Sequence, residues 1–402
     1  MKRLMILSAA LAMIGQVRGA DVPQFRGVGG RGVVREANLP DKWDDATNLR
    51  WKADLPGRGL SAPVVAKGRV FVTAASGPEQ KRLHILCFDL KSGSKLWERQ
   101  FWATGGTQCH PKTNMAAPTP VTDGQRVYAL FATADLACVD LDGNLEWYRS
   151  LVGDYPTIGN NVGMAASPIL LGENLLVHME NVGESFAVAI DRATGVNRWR
   201  IERPRLINWN TPHVIKNGAR EELLLATPTS LTAHDPATGQ KLWSYNATKM
   251  ATMPSMTSGD GVVFAPSEGL VALAPGADGS PPKVLWHSKK LSSGYSSPTQ
   301  HNGLVFTVTS KGIVNCGDAK TGELLWTQRA QGSSISASPL IVGDKLYVLA
   351  EDGPVTIFAV SREPKILGVN ELKDTTFMAS PIATENSLIL RSDKHLYCVA
   401  EK

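Results

Sequence analysis

Apolar residues fall in short runs separated by turn residues, and no amphipathic run of helical period lasts more than a few turns, so the chain reads as all-β. The runs are repetitive. A unit of Ser/Ala-x-Pro, an apolar strand, a second strand, an Ala/Cys-apolar-Asp step, a Thr-Gly turn and a Trp recurs along the sequence. Its tryptophans are Trp51, Trp97, Trp147, Trp199, Trp243, Trp286 and Trp326, spaced 40 to 52 residues apart, with Leu367 as the expected eighth equivalent. Pro63, Pro118, Pro168, Pro212, Pro254, Pro298, Pro339 and Pro381 keep the same beat. Both series count eight.

Within a unit, Gly93, Gly195 and Gly322 stand four residues before a Trp and supply the positive φ that a tight hairpin demands. Asp89, Asp191 and Asp318 are placed to accept from backbone N–H groups of the same turns. Four strands per unit and eight units predict an eight-bladed β-propeller of four-stranded antiparallel blades, with the Trp rings packed between neighbouring sheets. The last unit opens at Pro381 and has no Trp strand of its own, whereas residues 48–54 form a Trp strand that precedes the first unit. The N-terminal strand is therefore expected to complete the C-terminal blade.

Composition agrees with a packed fold: 43% of the 402 residues are hydrophobic and 20% charged, which excludes a disordered or fibrous chain. Lys2 and Arg3, the apolar run Leu4 to Ile14 and small residues at Gly19 and Ala20 have the layout of a secretory signal. The expected organisation is a signal over 1–20, a lead-in over 21–47 and the propeller over 48–402. The apolar run is too short for a membrane span, and no cysteine precedes Cys87 to carry a lipid, so the product is expected to be exported, periplasmic or otherwise extracytoplasmic, and soluble. Without Lys2, Arg3 and Arg18, 39 basic residues face 37 acidic ones in scattered positions, which excludes a nucleic-acid stripe.

The repeat, apolar-x-Ala/Cys-apolar-Asp-x-x-Thr-Gly-x-x-x-Trp, resembles the PQQ-type β-propeller repeat shared by quinoprotein alcohol dehydrogenases and BamB-type outer-membrane assembly factors. It covers almost all of the chain from about Trp51. A quinoprotein dehydrogenase would imply an adjacent Cys-Cys pair at the quinone, a calcium site of Glu, Asn and Asp, a Trp floor and a catalytic Asp. The chain has no Cys-Cys. The resemblance then implies a non-catalytic, BamB-like binding or scaffold propeller with a protein or peptide partner from the envelope and no cofactor; the sequence does not fix the oligomeric state, and a monomer is favoured. The alternative is a PQQ- and Ca²⁺-dependent alcohol dehydrogenase. BamB-type proteins are usually lipid-anchored, so recruitment of this chain to a membrane would go through its partner.

Two residues before the Asp step the units carry Cys87, Cys138, Ala189, Ala233, Ala272, Cys316, Ala359 and Cys398, so cysteine serves there as a small apolar residue. A Cys87–Cys138 bridge between adjacent blades is the competing reading. Cys109 lies outside the rule. No zinc, EF-hand, HExxH or haem spacing occurs, and the glycines of 27–32 precede no helix and read as a flexible lead-in.

Loops from each Trp strand to the next Pro strand share a face with the loops joining the two middle strands, and the first four units make them long. The candidate binding residues on this rim are His110, Lys112, Asn160, Asn161, Glu180, Glu184, Arg205 and Trp209, with no catalytic or metal-binding assignment. A plug of the channel is the competing reading of the same loops.

Overall fold

Each sequence unit folds into one antiparallel meander because its strands are separated by turns of only a few residues. The computed structural model describes residues 21–106, 108–159 and 163–401; the expected signal at 1–20 lies outside them. Eight sheets result. In chain order the blades span residues 64–102, 121–150, 169–202, 213–246, 257–288, 299–329 and 340–371, and the eighth combines 382–399 with Leu49–Asp54. That N-terminal strand pairs with His395–Val399, Trp51 facing Cys398, so the first Trp strand does close the ring. First strands line the channel and touch from blade to blade along blades 1 to 3 and 5 to 7, and the Trp strands form the outer wall.

Blade contacts follow from the repeat. The indole N–H groups of Trp51, Trp97, Trp147 and Trp199 donate to carbonyls of Leu90, Leu141, Arg192 and Pro236 in the next blade's turn, at 2.8 to 3.1 Å. Trp286 and Trp326 do the same to Ala319 and Ser361. The turn glycine must be glycine for two reasons. At Gly93 φ is 73°, and a Cβ there would come within 2.5 Å of the Trp51 ring. Trp243 is the exception: the following blade carries a longer turn, and this indole donates instead to the buried Glu222 at 2.8 Å.

Blade 7 corrects the repeat count. Gly368, not Leu367, occupies the Trp position, and Ile357, not Ala359, faces it. The turn between them is one residue longer than in blade 1, where Cys87 faces Trp97, so a count from Trp326 lands one residue early. A bulky Ile thus opposes Gly where the other blades oppose a small residue to Trp. The missing indole comes from elsewhere. Trp43, 3% exposed, stacks on Tyr347 with centroids 6.4 Å apart, and its backbone N–H donates to Asn370 Oδ1. Tyr347 stands at the position from which Phe71, Tyr128, Phe264 and Phe306 contact their own tryptophans. A lead-in residue therefore stands in for a blade residue some 300 positions away.

The strand openings need a second correction. Pro118 and Pro254 do not begin the innermost strands; Pro120 and Met256 do, because Thr119 and Ser255 are the residues bonded to their neighbours at that level. Proline suits this place, since the innermost edge has no partner strand to receive an N–H.

Nor is the lead-in a flexible run. Val22 bridges Val65 of blade 1, Pro23 accepts from Thr122 of blade 2, and Val33–Val34 pairs in parallel with Leu340–Val342 of blade 7. Between them the fully buried Arg26 donates to Pro298 O and Thr299 Oγ1 of blade 6. The segment thus crosses the channel on the face of the hairpin turns and closes it.

Candidate functional site

The channel remains open as a cavity of about 440 Å³ on the long-loop face. One level of its wall is a hydrogen-bonded circuit made by the residues at the strand openings. The backbone N–H of Ala62 donates to Thr119 Oγ1, Thr119 to Ser167, Ser167 to Thr211, and Thr211 to Ser255. Ser255 continues to Ser297, Ser297 to Ser338, and Ser338 to Ser380. Seven of the eight blade junctions carry this bond, at 2.9 to 3.1 Å. The eighth lacks it because position 62 is Ala. There the buried Arg391 of blade 8 donates to Ser61 O and Ser61 Oγ of blade 1, and to Thr73 O at 2.6 Å. Each ring hydroxyl has its oxygen engaged as acceptor, and among the described residues none donates to a protein acceptor.

Two residues before each ring position lies a second, less polar band: Leu60, Ala117, Ala165, Trp209, Met253, Tyr295, Ser336 and Met378. Phe25 lines the opposite end, beside the lead-in. Among the described residues no Asp or Glu lines the cavity. Two guanidiniums lie behind its walls: Arg26 next to Phe25, and Arg391 against Ser61. Burial pushes both down to about 9. Neither forms an ion pair among the described residues.

The structure brings three of the sequence candidates to this cavity: His110, Lys112 and Trp209. Lys112 reaches across the mouth, 2.8 Å from Glu351 Oε1 of blade 7 and 5.6 Å from the Tyr295 ring centre. Trp209 is held by its indole N–H to Gly163 O. Arg205, four residues before Trp209 on the same loop, is exposed and does not line the cavity. Glu184 pairs with Arg200 at 2.6 Å, and Asn160 and Asn161 lie outside the described residues.

Glu180 sits inside, its side chain fully buried between blades 3 and 4. Arg203 Nε and His178 Nε2 lie 2.6 and 3.0 Å from one carboxylate oxygen, and Asn208 donates to the other. Burial opposes its ionisation, but the charges and hydrogen bonds of His178, Arg203 and Asn208 prevail and hold it below the usual carboxylate range. Its contacts are those of an inter-blade clamp.

Sequence reasoning missed the ring hydroxyls and most of the apolar band. The ring had a signal, since it is the x of Ser/Ala-x-Pro. The band had none, because its eight members share no residue type.

All five cysteines are free thiols, so Cys87 and Cys138 are not bridged, and four of the five are buried. Among the described residues no three of His, Cys, Asp and Glu are grouped to hold a metal, and no helix is long and apolar enough to cross a membrane. The quinone–calcium pair of a dehydrogenase requires carboxylate ligands for a hard divalent cation. A lining of hydroxyl, aromatic and thioether groups does not fit that pair, and no step is derived through it.

Fold and site together define an eight-bladed propeller of tryptophan-docked repeats, blind at one end and open at a loop-rich rim. The sequence profile described as outer membrane protein assembly factor BamB matches residues 29–215 and 227–364. The chain belongs to this PQQ-like β-propeller family. It is 27% identical over 157 residues to the outer membrane protein assembly factor BamB of Moranella endobia, a match spanning 38% of this chain and 35% of that protein. Among solved structures, BamB from Moraxella catarrhalis superposes with a TM-score of 0.63 at 17% identity, covering 87% of this chain and 98% of that one. The quinohemoprotein alcohol dehydrogenase from Comamonas testosteroni superposes with a TM-score of 0.68 at 12% identity, covering 95% and 81%. At these identities both structural likenesses are likenesses of fold.

Proposed function

We propose that this chain is an exported, non-catalytic scaffold that binds a protein or peptide partner of the cell envelope through the long-loop rim. The observation that carries the reading is the asymmetry of the two faces. The lead-in seals the turn face, while the loop face presents Leu206, Met253 and Tyr295 at 42%, 43% and 39% exposure beside Trp209 and Arg205. Aromatic, Met and Arg side chains around a concavity are the composition of a protein-binding hot spot. Membership in the BamB family supports the same role. In this reading residues 1–20 are removed on export, 21–47 act as lead-in, 48–402 form the propeller, and the monomer needs no cofactor.

The test is photo-crosslinking in the envelope from a probe at Met253 or Leu206, with the captured protein identified by mass spectrometry. Trp209→Ala, Arg205→Ala and His110→Ala are expected to weaken capture of that protein without changing the melting temperature. Capture unaffected by all three would move the interface off this rim. An intact N-terminus on the mature protein would remove export by a cleaved signal from the reading.

A further inference from the structure

The channel has a chemistry of its own that scaffolding does not require. Each of the seven ring hydroxyls accepts from a neighbouring backbone N–H, and among the described residues none has a protein acceptor for its own hydrogen. All seven residues are buried, between 2% and 8% exposed. The ring therefore offers O–H donors to the channel, each from an oxygen that already accepts one N–H. A buried donor without an acceptor is costly, so the ring selects a group rich in acceptors.

Charge narrows the choice. Among the described residues the lining contains no carboxylate, and neither buried guanidinium beside it forms an ion pair, though the charge of Asp393 acts on Arg391. Glu351, the acid that Lys112 of the lining reaches, is already occupied by Lys112, Ser334 and Ser336. Arg26, on which no acidic group among the described residues acts, places positive charge in a poorly solvated wall, and that favours a negative guest. Nearer the mouth, Trp209, Met253, Tyr295 and Met378 replace hydroxyls with apolar surface, which suits the body of a guest rather than its charged end. The cavity of about 440 Å³ admits a single ring or branched chain with a short tether.

We propose that this cavity binds an apolar group ending in one carboxylate, with the carboxylate on the hydroxyl ring and the apolar body between Trp209 and Tyr295. Two sources present this chemistry: a free aromatic or branched aliphatic acid, or the C-terminal residue of a peptide. The inference does not depend on the scaffold reading, since a free acid bound here needs no protein partner.

The experiment is calorimetric titration of the full chain with 3-phenylpropionate, its primary amide, and a hexapeptide ending in Phe as free acid or as C-terminal amide. Binding of an acid at least 10-fold tighter than its amide supports the proposal. 3-Phenylpropionate alone would assign a small-molecule guest, and the free-acid peptide alone a peptide C-terminus. No saturable binding of either acid at millimolar concentration overturns it, as does equal binding of acid and amide. Met253→Glu, at an exposed position on the cavity wall, is expected to weaken the acid at least 10-fold while the melting temperature holds; undiminished affinity would place the guest elsewhere and overturn the assignment. Failed titrations with intact crosslinking would sink this inference and leave the scaffold standing.

Discussion

Trp43 offers the sharpest test of how the ring is locked. Its side chain stacks on Tyr347 between blades 7 and 8, where Val355, Ile357, Leu390 and Tyr397 belong to the same apolar cluster, while the space directly over Gly368 stays open. Truncating a buried Trp costs about 3–5 kcal/mol, and Trp43→Ala should fall in that range because the ring is 3% exposed within this cluster. Trp43→Phe separates packing from hydrogen bonding. Unlike the blade tryptophans, Trp43 has its indole N–H buried without an acceptor. A phenyl ring loses some area but also removes an orphaned donor, which costs roughly 1–3 kcal/mol to bury, so Trp43→Phe should lie within about 1 kcal/mol of the parent. Trp97→Phe, by contrast, removes the indole bond to the Leu141 carbonyl, which keeps its bond from Arg69, and loses about 1 kcal/mol in addition to area. Urea unfolding of the three variants, followed with limited proteolysis of the lead-in, reads the order Trp43→Phe, Trp97→Phe, Trp43→Ala from mildest to most severe. A Trp43→Ala protein with the parent's midpoint, or Trp43→Phe as damaging as Trp43→Ala, would refute the substitution of one indole for another.

Acid sensitivity should trace to His213, whose imidazole is pushed down to about 3 by burial and then by the charges of Arg26 and Arg31. Because the folded value lies below the unfolded one, its contribution is complete above about pH 6.5 and lost as pH falls towards 3. Between pH 6.5 and 4.5 the urea midpoint of His213→Gln should fall less than the parent's; His234 and His301, also lowered, leave some slope, and equal slopes would count against the assignment. Glu180→Gln should lower stability by roughly 3–5 kcal/mol by leaving Arg203 buried without its anion, whereas Arg205→Ala on the exposed loop should stay within about 0.5 kcal/mol. Native thiol labelling should modify Cys109 alone, with four more sites appearing only in denaturant, since Cys87, Cys138, Cys316 and Cys398 are all 0% exposed; early modification of any of these four would contradict the packing. Titration with PQQ and Ca²⁺ is expected to yield neither a calcium-dependent stoichiometric complex nor dye-linked alcohol oxidation, and an active complex would restore the dehydrogenase reading.

The propeller was legible because its instructions are local. A Thr-Gly turn, the Asp before it and the Trp after it lie within about ten residues, and their spacing reports one blade without reference to any other. Closure was legible by strand counting, since a blade short of its Trp strand and a Trp strand short of a blade can meet only one way. What local pattern does not carry is compensation at a distance. Gly368 reads as a lapse in the repeat until Trp43 is seen stacked on Tyr347, and Ala62 as one more small residue until Arg391 is found bonded to Ser61. The rim divided on similar grounds. His110, Lys112 and Trp209 follow the chain to the mouth, but Glu180 turns inward because Arg203 and Asn208, some 25 residues later, fold back over it.

These departures are not scattered. The missing Trp belongs to blade 7 and packs against blade 8, the missing hydroxyl lies at the junction of blades 8 and 1, and the lead-in repairs the first while sealing the channel below. Closing the ring pairs Asp54 with His395, about 340 positions apart, for which a loop-entropy cost of (3/2)RT ln n is roughly 5 kcal/mol. One strand has to offset that cost at a single seam, whereas every other blade junction joins consecutive units. The additional fasteners therefore sit where the chain is asked to hold its own ends. Trp43 contributes burial, Arg391 clamps blade 8 to blade 1, and Val33–Val34 adds a parallel strand to blade 7. Because the same segment carries Phe25 to the cavity end, the lock of the ring and the floor of the channel are one element. A guest that stabilises the floor should accordingly also protect the seam from proteolysis.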